Sequence, residues 1–225
     1  VAMHRAGSPA RARRLFESGR VDALVLDSSE TAPNVSADAT ATPIPVVHHL
    51  LLNGARPPTD DLLVRRALVQ AARGLAGAPP SGAVGLDGIA AGGTVAAPLG
   101  VETGGNEGLA RHYLRQAAGS RDVSVRVGYS TSPVPGSTVE SIAALWRRSL
   151  GLSVETAAFS RSELIDAIEA GDLNVFKIGH ASRIPDAGDV FESLFLSWES
   201  WTQPSDDRVD AAIALAGTVW DTSLR

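Results

Sequence analysis

The feature that most constrains the fold is an alternation of apolar and amphipathic segments over residues 123–178. Three short apolar segments with the composition of strands are separated by two longer segments with helical periodicity. Helical crossovers of this length favour parallel strands that are connected right-handedly. We therefore predict an α/β fold with a strand–helix–strand–helix–strand core. The predicted strands are VSVRVGYS (123–130), LSVETAAF (152–159) and LNVFKI (173–178).

Both intervening segments carry helix-start and helix-stop signals. The first begins with Ser137 and Glu140 in capping-box spacing and ends at Gly151. In the second, Ser160 and Glu163 have the same spacing, and a glycine again follows the last turn. Trp146 lies on the apolar face of the first helix, and we expect it to pack in the core.

Ligands bind beyond the carboxyl ends of the strands in open parallel sheets. Three predicted loops meet this condition, namely 129–136, 159–162 and 179–188. Their position, rather than any motif, predicts a ligand site at this edge. The candidate ligand-binding residues are Tyr129, Ser130, His180, Ser182, Arg183 and Asp186.

Two of these candidates have a structural alternative. His180, placed just past the third predicted strand, is either a packed or surface histidine or a ring that lines the pocket. Arg183 either grips a ligand carboxylate through its planar fork or pairs with Asp186 in solvent. The residues alone leave both pairs of alternatives open.

Sequence patterns in the rest of the chain predict further helices, strands and loops. Residues 29–45 and 75–105 are rich in turn-forming residues and predict irregular structure. In the segment 56–74 a turn leads into a helix, which Thr59 or Asp60 would cap. The other predicted elements are helices at 9–18 and 106–119 and strands at 21–28 and 46–53.

Composition excludes several classes of function. The net charge of −5 argues against a general nucleic-acid surface, because phosphate binding needs a basic field. Without cysteine the chain has neither disulfides nor thiolate metal ligands. It contains no apolar run long enough to span a membrane. The first residue is Val1, and we expect the chain to be a piece of a longer protein.

The sequence shows no convincing catalytic set, and we predict no metal and no cofactor. The adjacent His48 and His49 have no third ligand at metal spacing, and neighbours on a strand point to opposite faces. The glycine-rich segment 85–93 matches neither phosphate-loop pattern. The serines after the first predicted strand lack a nucleophile elbow. We therefore predict a binding protein rather than an enzyme.

Five segments in order make the chain similar to the family 5 extracellular solute-binding proteins of ABC transporters. Together they cover nearly the whole chain, and the resemblance rests on the ordered set rather than on one motif. The segments are LFESGRVDALV, LLNGARPPTDDLLVRRALVQAARG, ALWRRSLGLSVETAAFSRSELIDAIEAGDLNVFKIGH, PDAGDVFESLF and SDDRVDAAIALA.

The resemblance implies a class II periplasmic-binding-protein-like fold, of which this chain is mainly the C-terminal lobe. Residues 1–55 would be a partial segment of the first lobe, hinge and linker, and residues 56–225 the C-terminal α/β lobe. The implied function is non-catalytic binding of a peptide-like or other small organic solute for an ABC-type uptake system. The implied partner is the transporter permease, and the implied location is extracellular or at the cell surface.

The chain departs from the family pattern at two positions. Peptide-binding members commonly carry tryptophan after the glycine and, three residues later, an aspartate that meets the peptide amino group. His180 and Arg183 stand at these positions here. An arginine there would favour an anionic group over a free amine. These departures leave open an alternative in which the same fold is the ligand-sensing domain of a larger, cytoplasmic regulatory protein.

Overall fold

The computed structural model describes residues 8–24, 46–73, 105–119, 122–131, 137–181, 187–196 and 206–219. The chain divides into two compact units, Val1–Thr42 and Pro43–Arg225. The second unit holds the sheet, including a strand at 46–52 that the sequence analysis assigned to the first lobe segment. The proposed division into lobes at residue 55 stays a prediction.

The described part of the first unit is one helix, α1 (Pro9–Glu17). Ser8 caps its first turn by accepting from the Arg11 N–H, and Gly19 follows with a φ of 66°. The helix predicted at 9–18 is therefore present. Residues 21–24 have no regular secondary structure, so the predicted strand at 21–28 is not present over these residues. The rest of that segment lies outside the described residues.

The second unit contains a four-stranded sheet with the order β1-β4-β2-β3. Strands β2, β3 and β4 are parallel, as predicted, and β1 runs antiparallel to β4 at one edge. The strands are β1 (Val46–Leu52), β2 (Ser124–Ser130), β3 (Ser153–Phe159) and β4 (Val175–Ala181). The helices are α2 (Leu62–Ala72), α3 (Glu107–Ala118), α4 (Ser137–Leu150), α5 (Arg161–Glu169), α6 (Ala187–Phe195) and α7 (Asp207–Thr218).

Alternation along the strands divides the apolar interior into two cores. Val175 and Phe176 are neighbours on β4, both are fully buried, and they belong to different clusters. Because successive strand residues point to opposite faces, the clusters cover opposite faces of the sheet. The first cluster packs α2, α3 and α4 on one face, and the second packs α5 and α6 on the other.

Trp146 anchors the first core, as predicted. Its side chain is buried, and its indole N–H donates to the Leu68 carbonyl of α2 at 2.9 Å. A buried indole of this kind satisfies its one donor while contributing its large apolar surface to packing. Trp146 therefore ties α4 to α2 above the sheet.

Helix caps agree with the sequence signals except at α2. Asn106 caps α3, and Ser160 forms the predicted capping box with Glu163 at the start of α5. The N-cap of α2 is Asp61, which accepts from the Leu63 N–H at 2.7 Å, and neither predicted residue holds this position. The predicted cap Thr59 is fully buried instead. The side chain of Ser137 lies outside the described residues, so the capping box at α4 stays a prediction.

The position of β4 in the sheet is set by the buried side chain of Asn174, just before the strand. Its Oδ1 accepts from the Arg126 N–H of β2 at 2.9 Å, and its Nδ2 donates to the Pro57 carbonyl at 2.9 Å. Its backbone carbonyl accepts from the Asn53 N–H, next to β1, at 2.8 Å. One residue thus connects β4 with both neighbouring strands and with the segment that leads into α2.

Among the described residues, none of the helices combines the length and the apolar character that crossing a membrane requires.

A substitution at Gly128 should destabilise the second core. A Cβ at this position of β2 would overlap the buried Leu173 side chain and lie 3.2 Å from Leu164 Cδ1. We expect Gly128→Ala to lower the free energy of unfolding by about 1–3 kcal/mol, because the surrounding side chains must move. Chemical denaturation measures the effect.

Gly217→Ala on α7 is the matched control, since a Cβ there meets nothing within 4 Å. Alanine has the higher helix propensity, so this variant should be as stable as the parent chain or more stable. Equal stabilities of Gly128→Ala and the parent chain would contradict the packing described for β2.

Candidate ligand-binding site

The carboxyl ends of β2 and β3 finish together at one edge of the sheet. The strands pair in register along their whole length, ending with Ser130 opposite Phe159. Just beyond them, the Thr131 N–H donates to the Phe159 carbonyl at 3.1 Å. The predicted site loops 129–136 and 159–162 therefore begin side by side, at the edge where ligands bind in parallel sheets.

Strand β4 extends past this edge. It is level with β2 where Lys177 pairs with Tyr129, and it continues to Ala181, which pairs with Val46 of β1. Among the described residues, 179–181 pair only with β1. Three residues of strand span about 10 Å, so β1 and β4 form a two-stranded wall beside the ends of β2 and β3.

The sequence predicted that His180 follows the end of the strand. In the structure it instead lies within β4, and so within this wall. Residues 179–181 belong to β4 because β1 supplies hydrogen-bonding partners for them. The His180 side chain is 14% exposed, and its Nε2 lies 3.1 Å from Asp189 Oδ2 in the first turn of α6. The carboxylate is 4% exposed, so this contact is largely shielded from solvent. His180 therefore joins β4 to α6.

His49 of β1 lies next to His180 on the same face. Val47 pairs with His180 and His49 with Ile178, so the two histidines are diagonal neighbours. His49 Nε2 is buried and has no hydrogen-bond partner among the described residues. Burial, followed by the nearby His180 and His48, lowers the pKa of His49 to about 4. At neutral pH this part of the wall therefore carries an uncharged imidazole.

The opposite face of the same edge carries a second polar group of residues. The Tyr129 hydroxyl donates to Glu140 Oε1 of α4 at 3.2 Å. Burial raises the pKa of Tyr129, and the hydrogen bond to Glu140 and its charge add to this effect. The phenol therefore stays protonated at neutral pH, and its hydrogen bond holds it against the first turn of α4.

Lys177 lies beside Tyr129 on this face and is the only lysine of the chain. It is 8% exposed, and burial lowers its pKa. On β1, burial and then the Lys177 charge lower the pKa of His48. The His48 ring covers Gly179, where a Cβ would lie 2.9 Å from His48 Cε1. The wall thus places a cation and an imidazole next to the ends of the parallel strands.

The predicted site residues fall into three groups. Tyr129 and Ser130 end β2, on opposite faces. His180 is on the face opposite Tyr129 and is held by α6, so the structure does not bring these two side chains together. Their assignment as ligand contacts stays a prediction. The others lie outside the described residues: Ser182, Arg183 and Asp186.

Sequence reasoning missed several polar residues at this edge. Glu140 was assigned to a helix cap, and His48 and His49 were considered only as a metal pair. Asp189 drew no attention because its partner is nine residues away. The available signal for Lys177 was its uniqueness in a chain that otherwise uses arginine. Within the described residues, no group of three or more histidines and carboxylates is arranged to hold a metal ion.

A double-mutant cycle should detect the contact between His180 and Asp189. We expect a coupling energy of about 1–2 kcal/mol from His180→Ala, Asp189→Asn and the double variant, because both side chains are shielded from water. The same cycle on Arg126 and Glu155, a pair at 3.5 Å whose side chains are 39% and 66% exposed, is the control and should give a smaller value. Additive effects at His180 and Asp189 would contradict the contact.

Because of His49, the free energy of unfolding should decrease as the pH is lowered below 6.5. The folded pKa of His49 is about 4 and lies below the ordinary value of 6.5, so the unfolded chain binds more protons between these values. The shift corresponds to at most about 3 kcal/mol, and partial exposure reduces this to roughly 1–2 kcal/mol. Denaturation at pH 7 and pH 5 should show the loss, and His49→Leu should reduce it. An unchanged pH dependence in this variant would contradict the assignment.

The structure resembles several solved binding proteins. A periplasmic oligopeptide-binding protein of Borrelia burgdorferi matches 80% of this chain at 16% identity with a TM-score of 0.69. The murein tripeptide-binding protein of Escherichia coli matches 81% at 18% identity with a TM-score of 0.66. A dipeptide-binding protein of Pseudoalteromonas sp. SM9913, solved in complex with Met-Leu, matches 80% at 20% identity with a TM-score of 0.70.

The chain spans 38% of the length of each of these three proteins. No protein-family model matches the sequence, and no curated protein matches it. At these identities the comparisons establish the fold and nothing beyond it. The chain has the α/β fold of a portion of a periplasmic peptide-binding protein, as the resemblance implied.

Proposed function

We infer that this chain contributes one wall of a cleft that binds a small organic solute, such as a peptide-like molecule. The observation that carries this proposal is the edge formed by the ends of β2 and β3 and the wall of β1 and β4. Binding needs only a concave edge with a few polar anchors. The strands supply three such polar anchors, namely Tyr129, Lys177 and His48.

The proposed role is non-catalytic binding within an ABC-type uptake system. The Borrelia burgdorferi protein of similar fold is a periplasmic oligopeptide-binding protein of an oligopeptide ABC transporter. We extend this role to the present chain, with a transporter permease as its partner and an extracellular location. Since the chain spans about two fifths of that protein, we propose that a second lobe completes the cleft.

The proposed ligand carries an anionic group where ordinary peptides present their amino group. Arg183 follows β4 closely in sequence and remains a proposed anchor for a carboxylate. The electrostatics of the wall support this preference. Lys177 lies on the same strand, and its charge acts on His48, which is on the neighbouring strand. A cation next to a ligand disfavours a free amine and favours an anion.

Thermal unfolding with matched probes tests the proposal. Met-Leu is the neutral reference, and N-succinyl-Met-Leu replaces its free amine with a carboxylate. We expect the succinylated probe to raise the melting temperature more. A ligand at 100 times its dissociation constant adds about 2.7 kcal/mol of stability. A chain stabilised by neither probe would contradict solute binding, and a larger effect of Met-Leu would contradict the anionic preference alone.

Charge reversal at Arg183 should abolish binding of the succinylated probe and leave the fold intact. Calorimetry of Arg183→Asp measures the affinity, and circular dichroism checks the fold. Arg66→Asp is the control, because Arg66 is exposed on α2 and carries the same charge. Both variants lower the net charge equally, so a loss confined to Arg183→Asp would not be a global electrostatic effect. Unchanged affinity of Arg183→Asp would remove this residue from the site.

A further inference from the structure

We propose that the groove between α3 and α4 binds a small polyanion, a molecule with two or more phosphate or carboxylate groups. The groove is a solvent-open depression of about 360 Å³, within the size range of small-ligand sites. Three of its seven lining residues are arginines, and none is acidic. This concentration of positive charge occurs in a chain whose net charge is −5. The arginines are Arg111, Arg115 and Arg148.

Arg111 is fixed in the groove by contacts from two helices. Its Nε donates to the Ser149 carbonyl near the end of α4 at 2.8 Å. Its Nη2 contacts the Glu107 carboxylate one turn earlier on α3. Ser149 is buried, and Arg111 itself remains exposed, so the guanidinium is oriented while part of it faces solvent. A preorganised guanidinium loses less entropy on binding an anion.

Arg115 and Arg148 face the same groove from opposite sides. Arg115 lies in the last turn of α3 and Arg148 in the last turn of α4, and both are exposed. Among the described residues, neither guanidinium has a hydrogen bond or an ion pair. Arg147, next to Arg148, instead donates through Nε to the Val154 carbonyl at 3.0 Å and is not part of the lining. Two guanidinium groups are thus available to a ligand.

Helix-dipole compensation does not require this arrangement. Arginines near helix C-termini offset the partial negative charge there. However, α5, α6 and α7 end without any basic residue in the last turn, and at α2 the basic residue is the C-cap, Arg73. In the second compact unit, the described helices with an arginine in the last turn are α3 and α4, which line the groove. Like charges brought together in one groove repel each other, and a bound anion removes this repulsion.

The groove is distinct from the proposed solute site. Ser149 and Gly151 immediately precede β3, so the groove lies at the amino end of this strand. The solute site lies at the carboxyl ends of the same parallel strands. The inference therefore does not depend on the proposed function. Paired oxygens of a phosphate or carboxylate match the planar fork of arginine, which identifies the chemical class of the ligand.

Calorimetry with pyrophosphate and with citrate tests the inference and separates the two sources of anion. The 225-residue chain is used in a buffer free of phosphate and carboxylate. We expect binding of at least one probe in the millimolar range or tighter. Arg115→Glu and Arg148→Glu should each weaken it at least tenfold. Arg66→Glu on α2 is the matched control and should bind as the parent chain does.

Arg115→Lys separates ligand recognition from helix stabilisation. This variant keeps the positive charge at the end of α3 but loses the paired hydrogen bonds of the guanidinium. Its melting temperature should therefore equal that of the parent chain, whereas its affinity for the anion should be lower. The parent chain binding neither probe would overturn the inference. Equal weakening in Arg66→Glu would also overturn it, because the binding would then follow net charge rather than the groove.

Discussion

The hydrogen bonds of Asn174 fix the level at which β4 enters the sheet, and the arrangement of the edge depends on that level. The residue bonds to β2 through Arg126 and to the end of β1 through Asn53. A slip of one residue would turn every side chain of β4 to the other face. Lys177 would then leave the face of Tyr129, and His180 would leave Asp189. A buried amide far from the carboxyl edge thus determines which groups that edge presents.

The edge has two faces with different supports. On one face, α4 holds Tyr129 through Glu140, and Lys177 lies beside it. On the other, α6 holds His180 through Asp189. The two apolar cores continue this separation beneath the edge, since each core packs its own helices against the sheet. The polar groups on both faces of the proposed wall are therefore positioned by tertiary contacts.

Local signals were sufficient to predict the parallel core. Ser160 with Glu163, and the glycines at 151 and 171, mark helix ends through chemistry that acts within a few residues. The end of β4 was predicted too early because Gly179 and Ala181 favour strands only weakly. Their strand conformation comes from β1, which lies more than 120 residues away in sequence. The same distance concealed the positions of His48 and His49 beside this strand, and hence part of the candidate site.

Alternation along β4 determines which positions of the wall can change without affecting one another. Neighbouring positions of the strand face different helices, so a substitution at Lys177 lies on the face opposite the contact between His180 and Asp189. Two sets of positions, one for each face, thus alternate within the seven residues of β4. A change at Lys177 therefore alters the polar group that the wall presents while the contact between β4 and α6 is kept.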